Sequence, residues 1–363
     1  MKKRAVGLIT VLMVFLMVIT GCGSANTAGQ SGQKPVVKAS HQPCLHGLPS
    51  WMATQNGWAK DSPIDLQFVY FQSGAPQNEA LAANQWDVGA MGTVPTLMAS
   101  IRYGAYMIGI SNDESETNDI WVKPDSPLLK TKGFNPKYPD IYGSPQDWKG
   151  KKILVTTVST GHYAVSATLK ALGLTDKDMN IINMEQGQAV TAFESNQADL
   201  VQLWAPYSYI AEQKGWIKVS SGKRAGVTIP GAIVVRKDFA DQHPDQVVDW
   251  LDLYMRGIEY EKKDHAGATD WLYKYYKDYC GMELDKSLVA KEFELRPLLD
   301  VDEQIKAMED PNQTKKWMSQ IAQFLVDQGQ LTAADKQKYE SGNYIEPKFM
   351  KMLADKRAKA QQK

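Results

Sequence analysis

The feature that most constrains the fold is residues 147–213, where strand-like, turn-like and helix-like patterns follow one another. Residues 153–158 form a β-branched run, as in a strand that is covered on both faces. A polar turn follows at residues 159–162 (Ser-Thr-Gly-His), and residues 163–171 then have a helical pattern. A strand that passes into a helix in this way leaves free backbone N–H groups beside the carboxyl end of the strand. The segment is therefore predicted to cradle a ligand, and it shows no nucleophile with an adjacent base.

The alternation of strands and helices extends beyond this segment. Turns of the same kind recur at residues 185–187 and 204–206. Further strand patterns lie at residues 35–40, 64–71, 86–91, 106–110 and 231–236. Strands that alternate with helices predict an α/β fold with helices on both faces of the sheet. From residue 241 onward the period is mainly helical, and Trp250, Leu253, Tyr254 and Gly257 have the spacing of a helix that buries one side.

The length of 363 residues is sufficient for two lobes with separate cores. Residues 123–144 are rich in Pro, Lys and Gly without a clear period, which is typical of a crossover between lobes. We expect a first lobe in residues 35–122, a second lobe in 123–230, and a return to the first lobe with C-terminal helices in 231–363. The predicted fold class is α/β, with two lobes that are each a doubly wound sheet and a ligand cleft between them.

The N-terminal residues have the pattern of an export signal. Residues 1–4 are basic, and residues 5–20 are almost wholly apolar but shorter than the roughly 20 residues that span a bilayer. The sequence Ile-Thr-Gly-Cys ending at Cys22 resembles a bacterial lipobox, in which this cysteine is acylated; the alternative is an ordinary signal peptide with an incidental cysteine. Residues 23–34 are rich in Gly, Ser, Gln and Asn and predict a flexible tether. We therefore expect a lipid-anchored protein on the extracytoplasmic side of the cell membrane.

Charge and cysteine content exclude some classes of partner and cofactor. Lys+Arg and Asp+Glu both number 41, so nothing suggests nucleic acid. Besides Cys22 the chain has Cys44 and Cys280, which are far apart in sequence and are expected to be unpaired thiols. His41, Cys44 and His46 are ligand types that zinc or copper uses. Their spacing fits no recognised site and a fourth ligand is not evident, so neither a metal nor a cofactor is predicted.

Several short motifs occur together in the order and spacing of a known protein family. The motifs are His46-Gly47, residues 84–89 with 92–95, residues 148–153, residues 159–163, residues 192–199 with 204–207, and residues 238–240 with 243–244. Together they extend over about residues 35–265. They resemble the solute-binding proteins of ABC importers for nitrate, sulfonates and taurine, a group that also contains binding proteins for thiamine-pyrimidine precursors.

The resemblance implies a type II periplasmic-binding-protein-like fold with two crossovers, which closes over one small solute. It also implies a monomer that hands this solute to the permease and ATPase of an ABC importer and performs no catalysis. Relatives that synthesise pyrimidines are enzymes of the same fold, but they are intracellular and carry a cysteine-rich motif that this chain lacks. A structural or adhesive lipoprotein would not need the repeated strand-to-helix turns.

The residues expected at the cleft lie in turns at the carboxyl ends of predicted strands, which should converge between the lobes. From the first lobe they are His46, Gly47, Ser73, Gly74, Thr93, Asn112 and Asp113, and from the second lobe Ser159, Thr160, Gly161, His162, Glu185, Trp204 and Tyr207. Hydroxyl and backbone N–H groups at helix starts suit an oxyanion such as sulfonate or nitrate. The alternatives are that Ser and Thr act as ordinary helix caps, that His162 only packs, and that Trp204 belongs to a core.

The sequence leaves the charge of the solute open. The strand-end turns contain no obvious Lys or Arg to neutralise an anion, whereas Asp113 and Glu185 supply carboxylates. Carboxylates in the cleft would favour an amine, as in a zwitterionic aminosulfonate, or a cationic or neutral heterocycle. Asp113 also belongs to an acidic run of the kind usually found in a solvated loop. We therefore expect a sulfonate-, taurine- or nitrate-like solute, with an amine-bearing or heterocyclic solute as the alternative.

Overall fold

Two five-stranded sheets organise residues 34–362, which are the residues that the computed structural model describes. The predicted signal sequence, Cys22 and residues 23–33 of the predicted tether lie outside them. The strands are β1 (Val36–His41), β2 (Asp65–Tyr70), β3 (Val88–Gly92), β4 (Ala105–Asp113), β5 (Asn118–Val122), β6 (Lys152–Val155), β7 (Asn180–Asn183), β8 (Leu200–Trp204), β9 (Ile217–Ser221) and β10 (Pro230–Arg236).

Helices cover the sheets and form most of the C-terminal third of the chain. They are α1 (Leu48–Gln55), α2 (Gly74–Ala82), α3 (Thr93–Met98), α4 (Pro145–Trp148), α5 (Thr160–Ala171), α6 (Gln186–Glu194), α7 (Tyr207–Gln213), α8 (Lys237–Gln242), α9 (Pro244–Lys263), α10 (His265–Lys274), α11 (Lys286–Ala290), α12 (Glu292–Leu295), α13 (Val301–Glu309), α14 (Thr314–Asp327), α15 (Ala333–Ser341) and α16 (Lys348–Gln361).

Each sheet combines three parallel strands with a strand that the chain enters directly from the other sheet and that runs antiparallel to both its neighbours. The first sheet has the order β2-β1-β3-β10-β4, in which β1, β2 and β3 are parallel and β10 is antiparallel to both its neighbours. The second has the order β7-β6-β8-β5-β9, in which β6, β7 and β8 are parallel and β5 is antiparallel to both neighbours. Parallel strands joined by helices bring their carboxyl ends to one edge of each sheet. The predicted two-lobe α/β class is therefore confirmed.

The chain crosses between the sheets twice, through residues 114–117 and 222–229. The crossovers are bonded to each other, because the N–H of Glu114 donates to the carbonyl of Ile229 (2.8 Å) and the N–H of Lys223 donates to the carbonyl of Ser115 (2.8 Å). Since β5 belongs to the second sheet, the first crossover precedes the boundary expected after residue 122, and residues 123–144 lie within the second lobe. A five-residue strand that begins with Asn-Asp has no alternating pattern by which the sequence could reveal it.

The C-terminal helices enclose the first lobe. Helix α9 packs against α1 and α16, and α14 packs against α3. The four α9 residues expected to face a core, Trp250, Leu253, Tyr254 and Gly257, are all buried. The last of these lets the helices approach closely, since a Cβ atom there would lie 2.7 Å from Pro49 Cα of α1. Each buried Leu- or Phe-sized side chain stabilises such a core by about 1.5–3 kcal/mol.

Three further observations concern residues 34–362 only. No helix in this part of the chain is both long and apolar enough to span a membrane. No three His, Cys, Asp or Glu side chains within it are grouped as a metal site would require. Cys44 and Cys280 are both free thiols, the first buried and the second partly exposed.

Candidate functional site

A cavity of about 30 Å³ lies between the two lobes. A water molecule needs roughly 10–15 Å³ of such space, so the cavity has room for about two. Both lobes and the C-terminal segment contribute to its wall. The lining residues are Gln42, Cys44, His46, Gly74, Gly92, Pro95, Glu114, Ser159, Thr160, Trp204 and Arg296.

Helix α5 begins at the cavity, where Ser159 and Thr160 line the wall. The hydroxyl of Ser159 caps the helix by accepting from the N–H of His162 (3.2 Å), and it donates to the carbonyl of Thr156 (2.6 Å). The first N–H groups of a helix have no partner within the helix, and they carry partial positive charge. This end of α5 can therefore bind an anionic group.

Three buried polar atoms in or beside the cavity have no hydrogen-bond partner among the described residues. They are His46 Nδ1, Thr93 Oγ1 and Trp204 Nε1. Burial, with a smaller contribution from the charge of Arg296, lowers the pKa of His46 to about 3, so its imidazole is neutral at ordinary pH. A buried polar atom without a partner costs about 1–3 kcal/mol, which a bound ligand can offset by supplying the missing bond.

Arg296, which is 1% exposed, brings a cation to the cavity wall. Its Nη2 donates to Glu114 Oε1 (2.8 Å), and its Nη1 donates to Glu292 Oε2 (3.1 Å). With the amide of Asn112 oriented to satisfy its neighbours, the amide oxygen accepts from Arg296 Nε (2.8 Å) and Nη2 (3.2 Å). Burial raises the pKa of Glu114 and the adjacent guanidinium opposes that rise. The site thus contains one cation with two carboxylates.

The sequence reasoning did not include Arg296, because it lies in the C-terminal helical segment rather than in a strand-end turn. The sequence around Arg296 nevertheless contains a pattern that indicates a buried charge. Arg296 is followed by a proline and is flanked by leucines in the run Leu-Arg-Pro-Leu-Leu, where a lone charge among apolar residues needs a buried partner.

The structure brings some of the predicted first-lobe residues to the cavity. His46 and Gly74 line it, and Thr93 follows the lining residue Gly92. Gly47 instead backs onto a tyrosine ring, since a Cβ atom there would overlap Tyr275 Oη.

The other first-lobe residues have three different roles. Ser73 bonds to the second lobe, and Asn112 orients the guanidinium of Arg296. Asp113 points elsewhere: its Oδ1 accepts from the N–H (2.8 Å) and the hydroxyl of Ser115, and the residue lines a separate pocket.

Some of the predicted second-lobe residues line the cavity and others do not. Ser159, Thr160 and Trp204 line the cavity, whereas Gly161 lies against the side-chain amide of Gln202, which a Cβ atom would overlap. Tyr207 does not line the cavity but is buried in an apolar cluster with the lining residues Cys44 and Trp204, and burial raises the pKa of its hydroxyl.

His162 contributes to contacts between lobes rather than to the cavity wall. Its Nδ1 accepts from the N–H of Val158 (3.2 Å), and its Nε2 lies 2.9 Å from Asp176 Oδ2. Its ring meets the edge of Phe324 in α14 at a centroid distance of 5.3 Å.

The lobes are in contact around the cavity. Ser73 Oγ of the first lobe donates to Glu185 Oε1 of the second at 3.0 Å. Gly92 faces Thr160 so closely that a Cβ atom on the glycine would lie 2.8 Å from Thr160 Cγ2. A solute larger than two waters therefore exceeds the space that the lobes leave between them in this structure.

The sequence is similar to those of known binding proteins. The profile of the NMT1-like family matches residues 31–270. A Bacillus subtilis protein, named provisionally as an aliphatic sulfonates-binding protein, is 31% identical over 85% of this chain and 88% of its own. A Brachyspira hyodysenteriae protein, named provisionally as an ABC transporter periplasmic binding protein, is 26% identical over 92% of this chain and 96% of its own.

Solved structures share the fold at low sequence identity. The periplasmic aliphatic sulphonate binding protein SsuA of Escherichia coli has a TM-score of 0.65 and 16% identity over 85% of this chain and 92% of its own. The periplasmic nitrate-binding protein NrtA of Synechocystis PCC 6803 has a TM-score of 0.70 and 12% identity over 89% of each chain. The desulfurization enzyme DSZB also has this fold, with a TM-score of 0.60 and 14% identity over 89% of this chain and 100% of its own.

Proposed function

The chain belongs to the NMT1-like family, and from this premise we propose that it is the substrate-binding component of an ABC importer for a small organic sulfonate. The solute would bind in the cavity between the lobes. The names of the Bacillus subtilis relative and of SsuA support a sulfonate. The observation that carries the proposal is the buried guanidinium of Arg296 in the cavity wall, because it supplies a charged N–H donor from which an oxyanion can accept, although its charge is already paired with Glu114 and Glu292.

Sulfonate chemistry suits the donors that surround the cavity. A guanidinium has five N–H groups, and the bonds to Glu114, Glu292 and Asn112 leave at least one for a solute. The indole N–H of Trp204 and the start of α5 add further donors. Bonds from an ionised donor to an oxyanion are among the strongest in proteins.

The carboxylate beside this cation favours a zwitterion. Glu114 lies in the same wall as Arg296, so a solute with both a sulfonate and an ammonium group complements both charges. An amine-bearing heterocycle would complement Glu114 but would leave the spare guanidinium N–H without an anion. We therefore place an aminosulfonate such as taurine ahead of the heterocycle.

A catalytic role is less consistent with the cavity. Cys44 lines it, but burial raises the pKa of this thiol well above its ordinary value, so the nucleophilic thiolate is not populated. His46 is neutral but has no bond to the thiol among the described contacts. A bound sulfonate should accordingly remain intact, and an assay for released sulfite during incubation should stay at background.

The test is a thermal-shift series on the chain from residue 23, with taurine, ethanesulfonate, nitrate and ethylamine. A ligand at 100 times its Kd adds about 2.7 kcal/mol of stability. We expect stabilisation by taurine and ethanesulfonate, with taurine stronger. Stabilisation by ethylamine alone would favour the heterocycle or amine alternative, and no stabilisation of a folded protein by any sulfonate would refute the proposal.

A pair of tryptophan variants tests where the solute binds. Trp204→Phe removes an unpartnered indole N–H from the cavity wall and keeps an aromatic ring. Losing one hydrogen bond to a charged group should weaken sulfonate binding about tenfold to a hundredfold. Trp216→Phe changes a buried indole of the same lobe that does not line the cavity, and it should leave the affinity unchanged.

We also propose that Cys22 is acylated and holds the protein at the outer face of the membrane, from which it delivers the solute to a permease. The support is the lipobox-like sequence and the likeness to periplasmic binding proteins of ABC transporters. Cys22→Ser should abolish incorporation of labelled palmitate and release the protein from the membrane fraction. Unchanged membrane association without label would contradict the anchor and leave the solute site untouched.

A further inference from the structure

A second, larger pocket lies behind the cavity, where the end of β4 and the second crossover meet the C-terminal segment. Its volume is about 300 Å³, at the lower end of the range for small-molecule sites. We call it the hinge pocket; its wall includes Asp113 at the end of β4, Thr228 of the second crossover, and Pro297 and Leu299 of the C-terminal segment.

The hinge pocket and the cavity share a thin wall of two bonded chain segments. The N–H of Asp113 donates to the carbonyl of Pro297 at 3.0 Å. Successive side chains of extended chain face opposite sides. Glu114 and Arg296 accordingly line the cavity, whereas Asp113 and Pro297 line the hinge pocket.

The interior of the hinge pocket is mainly apolar. Ile110, Pro230, Pro297 and Leu299 form its walls, and the half-buried indole of Trp317 in α14 adds a flat surface. Such a lining suits a compact hydrocarbon or aromatic group, with one or two polar atoms to orient it.

Among the polar residues that line this pocket is a carboxylate without a cation partner within residues 34–362. Asp113 is half-buried, and both of its bonds, from the N–H and hydroxyl of Ser115, are made by Oδ1. Within residues 34–362 it forms no ion pair, although Lys306 also lines the pocket. Lys306 and Glu303 are exposed and lie at the rim, where water screens their charges. An apolar pocket with a half-buried carboxylate attracts a cationic ligand and repels an anionic one.

We propose that the hinge pocket is a binding site for a small amphipathic amine, distinct from the solute cavity. Its ammonium group bonds to Asp113 Oδ2, and its apolar body lies against Trp317 and Leu299. The indole face adds a cation–π attraction if the ammonium passes over it. The proposal does not depend on the identity of the solute in the cavity.

The test is calorimetric titration of the chain from residue 23 with 2-phenylethylamine, alongside neutral 2-phenylethanol and anionic phenylacetate, which have the same ring. We expect saturable one-site binding of the amine, at least tenfold weaker binding of the alcohol, and none of phenylacetate. Equal binding of amine and alcohol, or no binding of the amine, would overturn the proposal.

Two variants and one control locate the site. Asp113→Asn should weaken amine binding at least tenfold, and Trp317→Ala should do so independently if the first variant folds poorly. Asp302→Asn removes an exposed negative charge from the same first turn of α13 at a residue that does not line the pocket, so it should change the affinity less than twofold. Unchanged affinity in both Asp113→Asn and Trp317→Ala would place the amine elsewhere and refute the site.

The same titration in Trp204→Phe separates this proposal from the proposed function. That variant is expected to bind the sulfonate about tenfold to a hundredfold more weakly and to bind the amine with unchanged affinity. Loss of the amine in Trp204→Phe, with displacement by taurine, would show that the amine occupies the cavity and would overturn the hinge pocket as its site.

Discussion

Individual polar atoms around the cavity lack partners at positions where a ligand can supply them. His46, Thr93 and Trp204 each bury one such atom, and the three belong to different turns of the two lobes. Selection for stability alone would favour apolar groups at these positions, because a buried donor or acceptor without a partner lowers the free energy of unfolding. Atoms of this kind also occur elsewhere in residues 34–362, but these three lie in or beside the cavity, where a bound solute can supply the missing bonds.

Replacement of Thr93 by valine tests this explanation with little change of shape. Thr93→Val removes an unpaired hydroxyl, so the ligand-free protein should become about 1 kcal/mol more stable. Sulfonate affinity should fall about tenfold if the hydroxyl contacts the solute. The measurements are urea denaturation without ligand and calorimetric titration with it.

Thr96 on the same helix provides the matched control. Its hydroxyl is buried but donates to the carbonyl of Gly92 at 2.9 Å. Thr96→Val should therefore lower the stability by about 1 kcal/mol and change the affinity little. Equal effects of the two substitutions on stability would contradict the role given to Thr93.

Stability at mildly acidic pH should depend on His41. Burial lowers the pKa of His41 to about 4 from an ordinary 6.5. Between these two pH values the imidazole is protonated in the unfolded chain but stays neutral in the folded protein. The contribution of His41 to the free energy of unfolding is complete above pH 6.5 and falls by about 1.4 kcal/mol per pH unit as the pH decreases toward 4.

The variant His41→Leu removes that proton uptake from the unfolded chain. Its urea midpoint should decrease less steeply than that of the wild type between pH 6.5 and 4.5. His46 retains the same direction of pH dependence in both proteins, because its pKa is also lowered by burial, to about 3. Parallel slopes for the wild type and the variant would show that His41 is not the group concerned.

At the scale of elements, α14 and the turn after it reach from the first lobe to the second. Phe324 contacts the ring of His162, and Gln328 Nε2 donates to Asp176 Oδ2 at 2.6 Å. Burial raises the pKa of Asp176, but the bonds from His162, Ser166 and Gln328 outweigh it and leave the pKa below its usual value. The carboxylate is thus an ionised acceptor that joins the lobes.

Removing the Gln328 contact should loosen this junction. Gln328→Ala is expected to increase the dissociation rate constant of the bound sulfonate about threefold to tenfold, because one partly buried hydrogen bond between the lobes is lost. Stopped-flow displacement measures the rate. Gln323→Ala, an exposed change on the same helix whose amide bonds only to Asp327, should have no effect; an equal acceleration by both variants would argue against a specific contact.

The sequence was sufficient to predict the elements but not every residue that they direct inward. The strand-to-helix pattern placed Ser159, Thr160 and Trp204 at the cavity because the carboxyl ends of parallel strands share an edge. The same pattern selected Asp113 for the cavity, whereas in the structure the next residue, Glu114, lines it. Neighbouring side chains of an extended chain point to opposite sides, so an error of one residue moves the side chain away from the cavity. Local patterns do not specify that register.

Arg296 illustrates a different limit. Its place in the wall depends on how the C-terminal helices dock on the first lobe, and no periodicity within residues 286–300 specifies that docking. The predicted end of the first lobe, after residue 122, differs from the observed crossover for a similar reason. The pairing of β5 with β8 and β9, which assigns β5 to the second sheet, is a long-range contact. Long-range packing, rather than local propensity, decides both.

At the scale of the whole molecule, the lobes enclose a space for about two waters and are joined by direct contacts. We therefore expect the lobes to open before a solute binds. As the sulfonate concentration increases, we expect the observed first-order rate constant of binding to reach a plateau. The value of that plateau is the rate constant of lobe opening. Stopped-flow tryptophan fluorescence provides the measurement.

The bond between Ser73 and Glu185 should help to set that opening rate. Ser73→Ala removes the donor of this contact, so the plateau should rise severalfold. Ser319→Ala removes an exposed serine bond within the C-terminal helices and serves as the control. A rate constant that increases linearly with concentration, without a plateau, would show that the lobes do not need to open first.

The distance along the chain between Glu114 and Arg296 has a consequence for how the protein acquires its activity. The two residues are 182 positions apart, and the wall they form cannot exist until the C-terminal segment has joined the first lobe. Closing so long a loop costs conformational entropy before the contact itself contributes any stabilisation. Contacts of such separation are therefore expected to form late in folding. During refolding from urea, helical signal should therefore recover first and sulfonate binding last, with the two recovery curves separated in time.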